Sequence, residues 1–334
     1  MKLAYYGDRD LRDEKRLREL FPNLEVEVFG APLLPQVPPP TGVDILSVFV
    51  DSEVTKEVLD TLPNVKLIAA RSAGVDHIDA ATCKERGITI VNVPHYGEVT
   101  VAEHTFALLL ALSRKVFQSY ERTEKMNFNR DGLQGFDLAG KTIGVIGCGN
   151  IGRNVIAIAK GFRMNVIAFD AKQDTELAAK EGFIFKNSLE ELLQESDVIT
   201  LHVPYLPTTH HIINKESLQA AKKGAILINT ARGGLVETAG LLWALEEGKL
   251  SGAGLDVLEG EHDTYDRIRF MSRNPDDPEE LQTLVRNHML VSREDVIITP
   301  HNAYNSVEAV EKIFQTTVQN IQSFLDGKIV NQIS

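Results

Sequence analysis

Along the chain, short β-branched apolar runs alternate with longer amphipathic stretches. Runs that stay apolar at consecutive positions fit parallel strands buried on both faces, with the amphipathic stretches as the crossover helices that cover them. The pattern predicts strands over Lys2–Gly7, Leu24–Gly30, Asp44–Val50, Leu67–Ser72 and Ile88–Val93, with helices over Glu53–Thr61 and Ala80–Arg86. Pro32, Pro35, Pro38, Pro39 and Pro40 fall in one loop, where extended backbone is expected. From Val101 to Tyr120 the pattern predicts one long helix whose apolar middle is continuous enough for burial on more than one side, suited to joining domains or forming a subunit interface. A second series of strands is predicted over Lys141–Gly147, Asn165–Asp170, Phe183–Lys186, Asp197–Pro204, Ala225–Ala231, Gly252–Leu258 and Val296–Pro300, and a closing helix over Val307–Leu325. Glu259 to Asp295 breaks the rhythm and reads as a long surface insertion or lid. The fold class is α/β, with doubly wound parallel sheets.

Composition narrows this. A chain of 334 residues favours two domains at the usual roughly 100–200 residues each. With 43% hydrophobic and 25% charged residues it has the make-up of an ordinary globular protein. Its 35 Lys and Arg against 47 Asp and Glu give a net charge of −12, which argues against a dedicated nucleic-acid binder. Two cysteines, Cys83 and Cys148, exclude a disulfide framework and a four-cysteine zinc site, and no metal is expected. The N-terminus reaches charge too early for a signal peptide, and the most apolar window, Phe106 to Leu112, is too short to cross a bilayer. The expected setting is the cytoplasm, away from membranes.

The strongest local signal is the turn Gly147-Cys148-Gly149-Asn150-Ile151-Gly152. An apolar strand leads in, a helix predicted over Ile151–Phe162 leads out, and the next strand ends in Asp170, eighteen residues past the last glycine. Gly147 permits the tight turn, Gly149 lets backbone N–H groups reach a pyrophosphate, and Gly152 allows close helix–sheet packing. The helix N-terminus offers N–H donors and partial positive charge to the phosphates. Asp170 would accept from ribose hydroxyls and repel a 2′-phosphate, favouring NAD over NADP, with Lys172 acting against that preference. A tight turn without a ligand, or a nucleoside ligand such as S-adenosylmethionine, are the alternatives.

Ligands of open α/β sheets bind at the carboxyl ends of the strands, and the later strands place chemistry there. Arg232 follows one, Asp256 and Glu261 the next, and His301 the last. Each alone has a bland explanation as a surface ion pair or a helix-end histidine. Together, beside a nicotinamide, they suit hydride exchange with a 2-hydroxy acid: a guanidinium holds the carboxylate, an imidazole moves the hydroxyl proton, and a carboxylate orients the imidazole. The pattern of residues does not separate Asp256 from Glu261 as that carboxylate.

Arg71-Ser72-Ala73-Gly74-Val75-Asp76-His77-Ile78-Asp79, Asn92-Val93-Pro94, Val101-Ala102-Glu103-His104, the glycine turn, His202-Val203-Pro204, Asn229-Thr230-Ala231-Arg232-Gly233, Gly254-Leu255-Asp256-Val257 and Thr299-Pro300-His301 follow one another nearly end to end as in the D-isomer-specific 2-hydroxyacid dehydrogenases. Tyr96 and Tyr304 resemble the D-lactate dehydrogenase branch of that family. The resemblance implies two Rossmann-like domains, with a cofactor domain over residues 100–301 inserted in a discontinuous substrate domain formed by 1–99 and 302–334. It implies that Arg232 binds the substrate, His301 is the acid/base and Glu261 its partner. Ala73, Gly74, Tyr96 and Tyr304 would complete the substrate site. Gly147, Gly149, Asn150, Ile151, Gly152, Asp170, Val203, Pro204, Thr209, Thr230, Ala231 and Asp256 would line NAD. By the same resemblance the substrate is pyruvate or D-lactate and the assembly a homodimer, a role that suits the apolar helix from Val101. Other implied outcomes are a different 2-keto acid such as glyoxylate, hydroxypyruvate or a larger one, or a non-catalytic NAD(H)-sensing protein.

Overall fold

The computed structural model describes residues 1–7, 12–37, 39–261 and 278–333. The described chain divides into two compact units, Met1–Tyr96 with Ser306–Ser334, and Gly97–Asn305.

In the first unit the elements are β1 (Lys2–Tyr6), α1 (Arg12–Leu20), β2 (Glu25–Phe29), β3 (Ile45–Val48), α2 (Lys56–Asp60), β4 (Leu67–Ala70), α3 (Ala80–Glu85) and β5 (Thr89–Val91). They form a five-stranded parallel sheet of order β2-β1-β3-β4-β5. Every residue of β3 and β4 is buried, Ser47 of β3 among otherwise apolar side chains. Pro32, Pro35, Pro39 and Pro40 lie outside helix and strand, while Pro38 is outside the described residues. In the turn after β4, the Ser72 carbonyl accepts from the Val93 N–H at 3.0 Å and the Ala73 carbonyl from Asn92 Nδ2 at 2.7 Å. Because the peptides are trans, the N–H groups of Ala73 and Gly74 point the opposite way, away from the end of β5.

The second unit contains α4 (Glu98–Ser113), α5 (Val116–Glu124), β6 (Thr142–Ile146), α6 (Asn150–Gly161), β7 (Asn165–Phe169), α7 (Thr175–Glu181), β8 (Ile184–Phe185), α8 (Leu189–Glu195), β9 (Val198–Leu201), α9 (Lys215–Gln219), β10 (Ala225–Asn229), α10 (Thr238–Glu246), β11 (Leu250–Leu255), α11 (Pro278–Val291) and β12 (Val296–Ile298). The closing helix α12 (Val307–Leu325) returns to the first unit. All seven strands pair in parallel in the order β12-β11-β10-β9-β6-β7-β8. The order reverses between β6 and β9, and open α/β sheets bind ligands beyond the carboxyl ends of such a pair.

One expectation needs correction. The single helix over Val101–Tyr120 is two, because Lys115 takes a left-handed backbone (φ 53°) and breaks the hydrogen-bond ladder between α4 and α5. The apolar middle of α4 is used inside the unit: Phe106, Leu109 and Leu112 join the core around α6 and the sheet. Among the large apolar side chains left exposed nearby are Val99 on α4 and Val116, Phe117, Tyr120, Met126 and Phe128 on and after α5. The insertion from Glu259 to Asp295 ends in α11, which buries Leu284 and Leu290 and packs on α10 and β12. Its stretch 262–277 lies outside the described residues.

Candidate active site

At the strand-order reversal, the turn after β6 meets the turn after β9. Gly147 has φ 96°, and a Cβ on it would come within 2.6 Å of the His202 carbonyl oxygen. A Cβ on Gly152 would stand 2.0 Å from the Gly147 carbonyl oxygen, so the first turn of α6 is seated on the end of β6. Gly149 differs from both: a Cβ there meets nothing within 4 Å, and as N-cap of α6 it makes no side-chain cap bond. The chain is therefore uncrowded beside Gly149 at the start of α6, as close approach of a pyrophosphate to a helix N-terminus requires. Asp170, at the tip of β7, is fixed by the N–H groups of Cys148 at 2.7 Å and Lys172 at 2.9 Å. These residues fit a dinucleotide. Burial pushes the Cys148 thiol up to about 12, so it is inert within the turn.

The turn after β9 continues the edge. Thr209 Oγ1 donates to the Pro204 carbonyl at 2.7 Å and accepts from the Leu206 N–H at 2.8 Å, which folds the Val203–Thr209 loop on itself. His202 Nε2 pairs with Thr200 Oγ1 at 2.8 Å, its Nδ1 is buried without a partner among the described residues, and burial pushes its pKa down to about 3, leaving the ring neutral. After β10, Thr230 Oγ1 lies 3.0 Å from Thr105 Oγ1 on α4. Asn229 shapes the next turn, accepting from the Ala231 N–H at 3.0 Å and donating to the Arg232 carbonyl at 2.8 Å.

The turn after β12 carries His301, whose backbone is left-handed (φ 50°). Glu261 Oε1 lies 2.7 Å from its Nδ1, and Glu261 Oε2 accepts from the Leu258 N–H at 3.1 Å. Asp256 is fully buried and serves the backbone instead. Its two oxygens accept from the N–H groups of Asn302 and Ala303, each at 2.8 Å, and from Thr299 Oγ1 at 2.5 Å. The geometry therefore separates the two acids: Glu261 is on the imidazole and Asp256 holds the turn. Burial alone lowers the His301 pKa, but the hydrogen bond and charge of Glu261 together outweigh it; Arg232 opposes, Asp256 adds, and the net direction is upward. Arg232 thus lies within electrostatic range of the ring. Such a constellation can hold an anion on the guanidinium and exchange a proton through His301 Nε2.

Tyr304 follows His301 and is half-buried. Ala73, Gly74 and Tyr96 belong to the first unit. Three groups at this edge were not singled out by the sequence: His104, whose Nε2 is 3.0 Å from Thr299 Oγ1, and the pair His211 and Glu259. A histidine doublet after β9 and a second acid two residues before Glu261 were the available signals. Among the described residues no group of His, Cys, Asp and Glu could hold a metal ion, and no helix is long and apolar enough to cross a membrane.

The family model "D-isomer specific 2-hydroxyacid dehydrogenase, NAD binding domain" matches residues 106–303. D-lactate dehydrogenase of Escherichia coli is 34% identical over 333 residues, 98% of each chain. An aromatic 2-oxoacid reductase of Clostridium sporogenes is 38% identical over 295 residues, 87% of this chain and 86% of its own. Among solved structures, D-lactate dehydrogenase from Aquifex aeolicus complexed with NAD and lactic acid superposes with a TM-score of 0.87 at 35% identity, covering 99% of this chain and 100% of its own. The chain belongs to the D-isomer-specific 2-hydroxyacid dehydrogenases, and its middle segment is their NAD-binding domain. It is an NAD-dependent dehydrogenase, which sets aside the methyl-donor nucleoside and the non-catalytic sensor.

Proposed function

We propose that the chain interconverts pyruvate and D-lactate. The observation that carries this is the His301–Glu261 pair at 2.7 Å with Arg232 in electrostatic range, at the sheet edge that carries the dinucleotide cradle. The full-length match to a D-lactate dehydrogenase supports the substrate. Residues 100–301 form the cofactor domain, and residues 1–99 with 302–334 the substrate domain.

Gly149, Asn150, Ile151 and Asp170, with Val203, Pro204, Thr209, Thr230 and Ala231 along the same edge, would hold the nicotinamide cofactor, which when bound would supply the hydride for the keto acid. Arg232 binds the carboxylate through its two-pronged guanidinium. His301 donates a proton from Nε2 to the ketone oxygen, while Glu261 on Nδ1 fixes the tautomer and stabilises the charged ring before transfer. Asp256 keeps the His301 turn in place at the nicotinamide end. Tyr304, three residues after His301, restricts the pocket to a small side chain.

NADH oxidation across pyruvate, phenylpyruvate, glyoxylate and hydroxypyruvate, with the handedness of the product determined, tests the assignment. Highest kcat/KM for pyruvate with a D product is expected, and a clear preference for any of the others would remove lactate. The similarity to an aromatic 2-oxoacid reductase makes phenylpyruvate the sharpest competitor.

The apolar side chains exposed on and after α5 support a homodimer, checked by light scattering of the eluting protein. Both cysteines are unbridged, consistent with a cytoplasmic setting.

A further inference from the structure

The turns that carry Arg232 and Glu261 touch backbone to backbone. A Cβ on Gly233 would come within 2.0 Å of the Leu258 carbonyl oxygen. Beside this contact lies a second carboxylate–imidazole pair that the reaction does not consume. Glu259 Oε1 is 2.5 Å from His211 Nε2, and Glu259 Oε2 accepts from Thr238 Oγ1 at 2.8 Å and from the Thr238 N–H at 3.2 Å. Thr238 begins α10, whose N-cap Glu237 makes no side-chain cap bond. Glu259 supplies that acceptor from another part of the chain and meets the positive end of the helix. Its carbonyl accepts from Nδ2 of the fully buried Asn287 on α11, at 2.8 Å.

His211 is as firmly placed. Its backbone is left-handed (φ 48°), its N–H donates to the Gly234 carbonyl at 2.9 Å, and Ile213 forms a parallel bridge with Val236. Those bonds tie it to the chain that follows Arg232. His210 stacks on the His211 ring at 3.8 Å, and Tyr205 Oη lies 3.0 Å from His210 Nδ1.

We propose that Glu259 is a positioning residue for the hydride-transfer reaction: clamped by His211 and Thr238, it fixes the Leu258–Glu261 turn against the Arg232 turn, so that Glu261 meets the His301 ring. The inference rests on the acid/base reading of His301 given above. Its physical basis is that Glu261 is oriented by the turn Glu259 anchors, through the Leu258 N–H at 3.1 Å. Gly260 between the two acids has φ 63° and offers no side chain to stiffen it. Misplacement by about 1 Å in a reacting constellation costs on the order of a hundredfold in rate.

The experiment compares wild type with Glu259→Ala, Glu259→Gln, His211→Gln and, as reference, Glu261→Gln. Each is read by kcat for pyruvate against pH, by melting temperature, and by NMR titration of the His301 ring. Glu259→Ala is expected to lower kcat at least about tenfold, to move the alkaline limb toward lower pH in the direction of Glu261→Gln, and to lower the His301 midpoint. Glu259→Gln recovers most of this, since its oxygen can accept from Thr238 while its amide donates to the other tautomer of His211. His211→Gln, which alters only one arm of the clamp, gives a smaller shift of the same sign and stands in should Glu259→Ala not fold. A lower melting temperature with the limb and the His301 midpoint unmoved would overturn the proposal. Should wild type reduce no 2-keto acid while Glu259→Ala still lowers the His301 midpoint, the acid/base reading fails and the clamp stands.

Discussion

The three glycines of the cofactor turn do different work, and two of them can be told apart by adding one methyl group. Gly149→Ala puts a Cβ where nothing lies within 4 Å, on a residue with φ −69° and ψ −165° that alanine adopts freely. The fold should lose no more than about 1 kcal/mol, the cost of a poorer N-cap. The same methyl occupies the space a phosphate oxygen needs to approach the first N–H groups of α6. Losing one hydrogen bond to a charged oxygen costs about 1.5–3 kcal/mol, so NADH should bind about ten- to a hundredfold more weakly at 1.4 kcal/mol per factor of ten. Gly152→Ala reverses the balance. Its Cβ would stand 2.0 Å from the Gly147 carbonyl oxygen and 3.0 Å from the carbonyl carbon, both backbone atoms that no rotamer change can move. Overpacking of that kind costs about 1–3 kcal/mol or more, and at roughly 2–4 °C per kcal/mol for a unit of this size the melting temperature should fall by several degrees. Melting curves without ligand and NADH titration by fluorescence read the two effects separately. Unchanged NADH affinity in Gly149→Ala, or an unchanged melting temperature in Gly152→Ala, would refute the division of roles.

Glu261→Gln should move the alkaline limb of keto-acid reduction to lower pH. If His301 is the acid proposed above, activity should fall as pH rises through its pKa, and the variant removes the group that raises that pKa; an unmoved limb in the pH profile would deny the coupling. Arg232→Lys should raise KM for the keto acid and lower kcat while leaving NADH affinity intact, because a point charge cannot reproduce the fork that grips a carboxylate. Normal steady-state constants would exclude Arg232 as the carboxylate clamp.

Much of this was legible in the residues because parallel strands buried on both faces leave continuous apolar runs. All seven ranges predicted in the second series contain strands, though each strand ends before its predicted range does, at Leu201 before Pro204 and at Asn229 before Ala231. Val203 and Ala231, just past those ends, are themselves apolar, so composition could not mark the boundary. The break at Lys115 was hidden for another reason: lysine is a good helix former, and only its left-handed backbone ends α4. The burial expected for α4 on more than one side is met by Phe106, Leu108, Leu109 and Leu112, while periodicity alone does not say whether its remaining surface faces solvent or another subunit. His211 and Glu259 lie far apart in sequence and are joined only through the tertiary contact between two turns.

The sharpest gain concerns Asp256 and Glu261, which residue type and spacing left equivalent. Both are acids near His301, yet one contacts the ring and the other the chain that carries it. Asp256 contributes two acceptors to two backbone N–H groups and a hydroxyl, and its own carbonyl accepts from the His301 N–H at 2.8 Å, so it encloses the left-handed turn at His301 from both sides. In Asp256→Asn one of those oxygens becomes an amide that can only donate. Either the Asn302 or the Ala303 N–H is then left facing a donor in a fully buried site, at about 1–3 kcal/mol for the stranded group. The variant should melt lower and lose kcat at every pH, because the turn relaxes and carries the imidazole with it. Its alkaline limb should shift less than that of Glu261→Gln, since Asp256 contributes least to the raised pKa of His301. A limb shifted further than in Glu261→Gln, with the melting temperature unchanged, would show that Asp256 is the electrostatic partner and Glu261 the support.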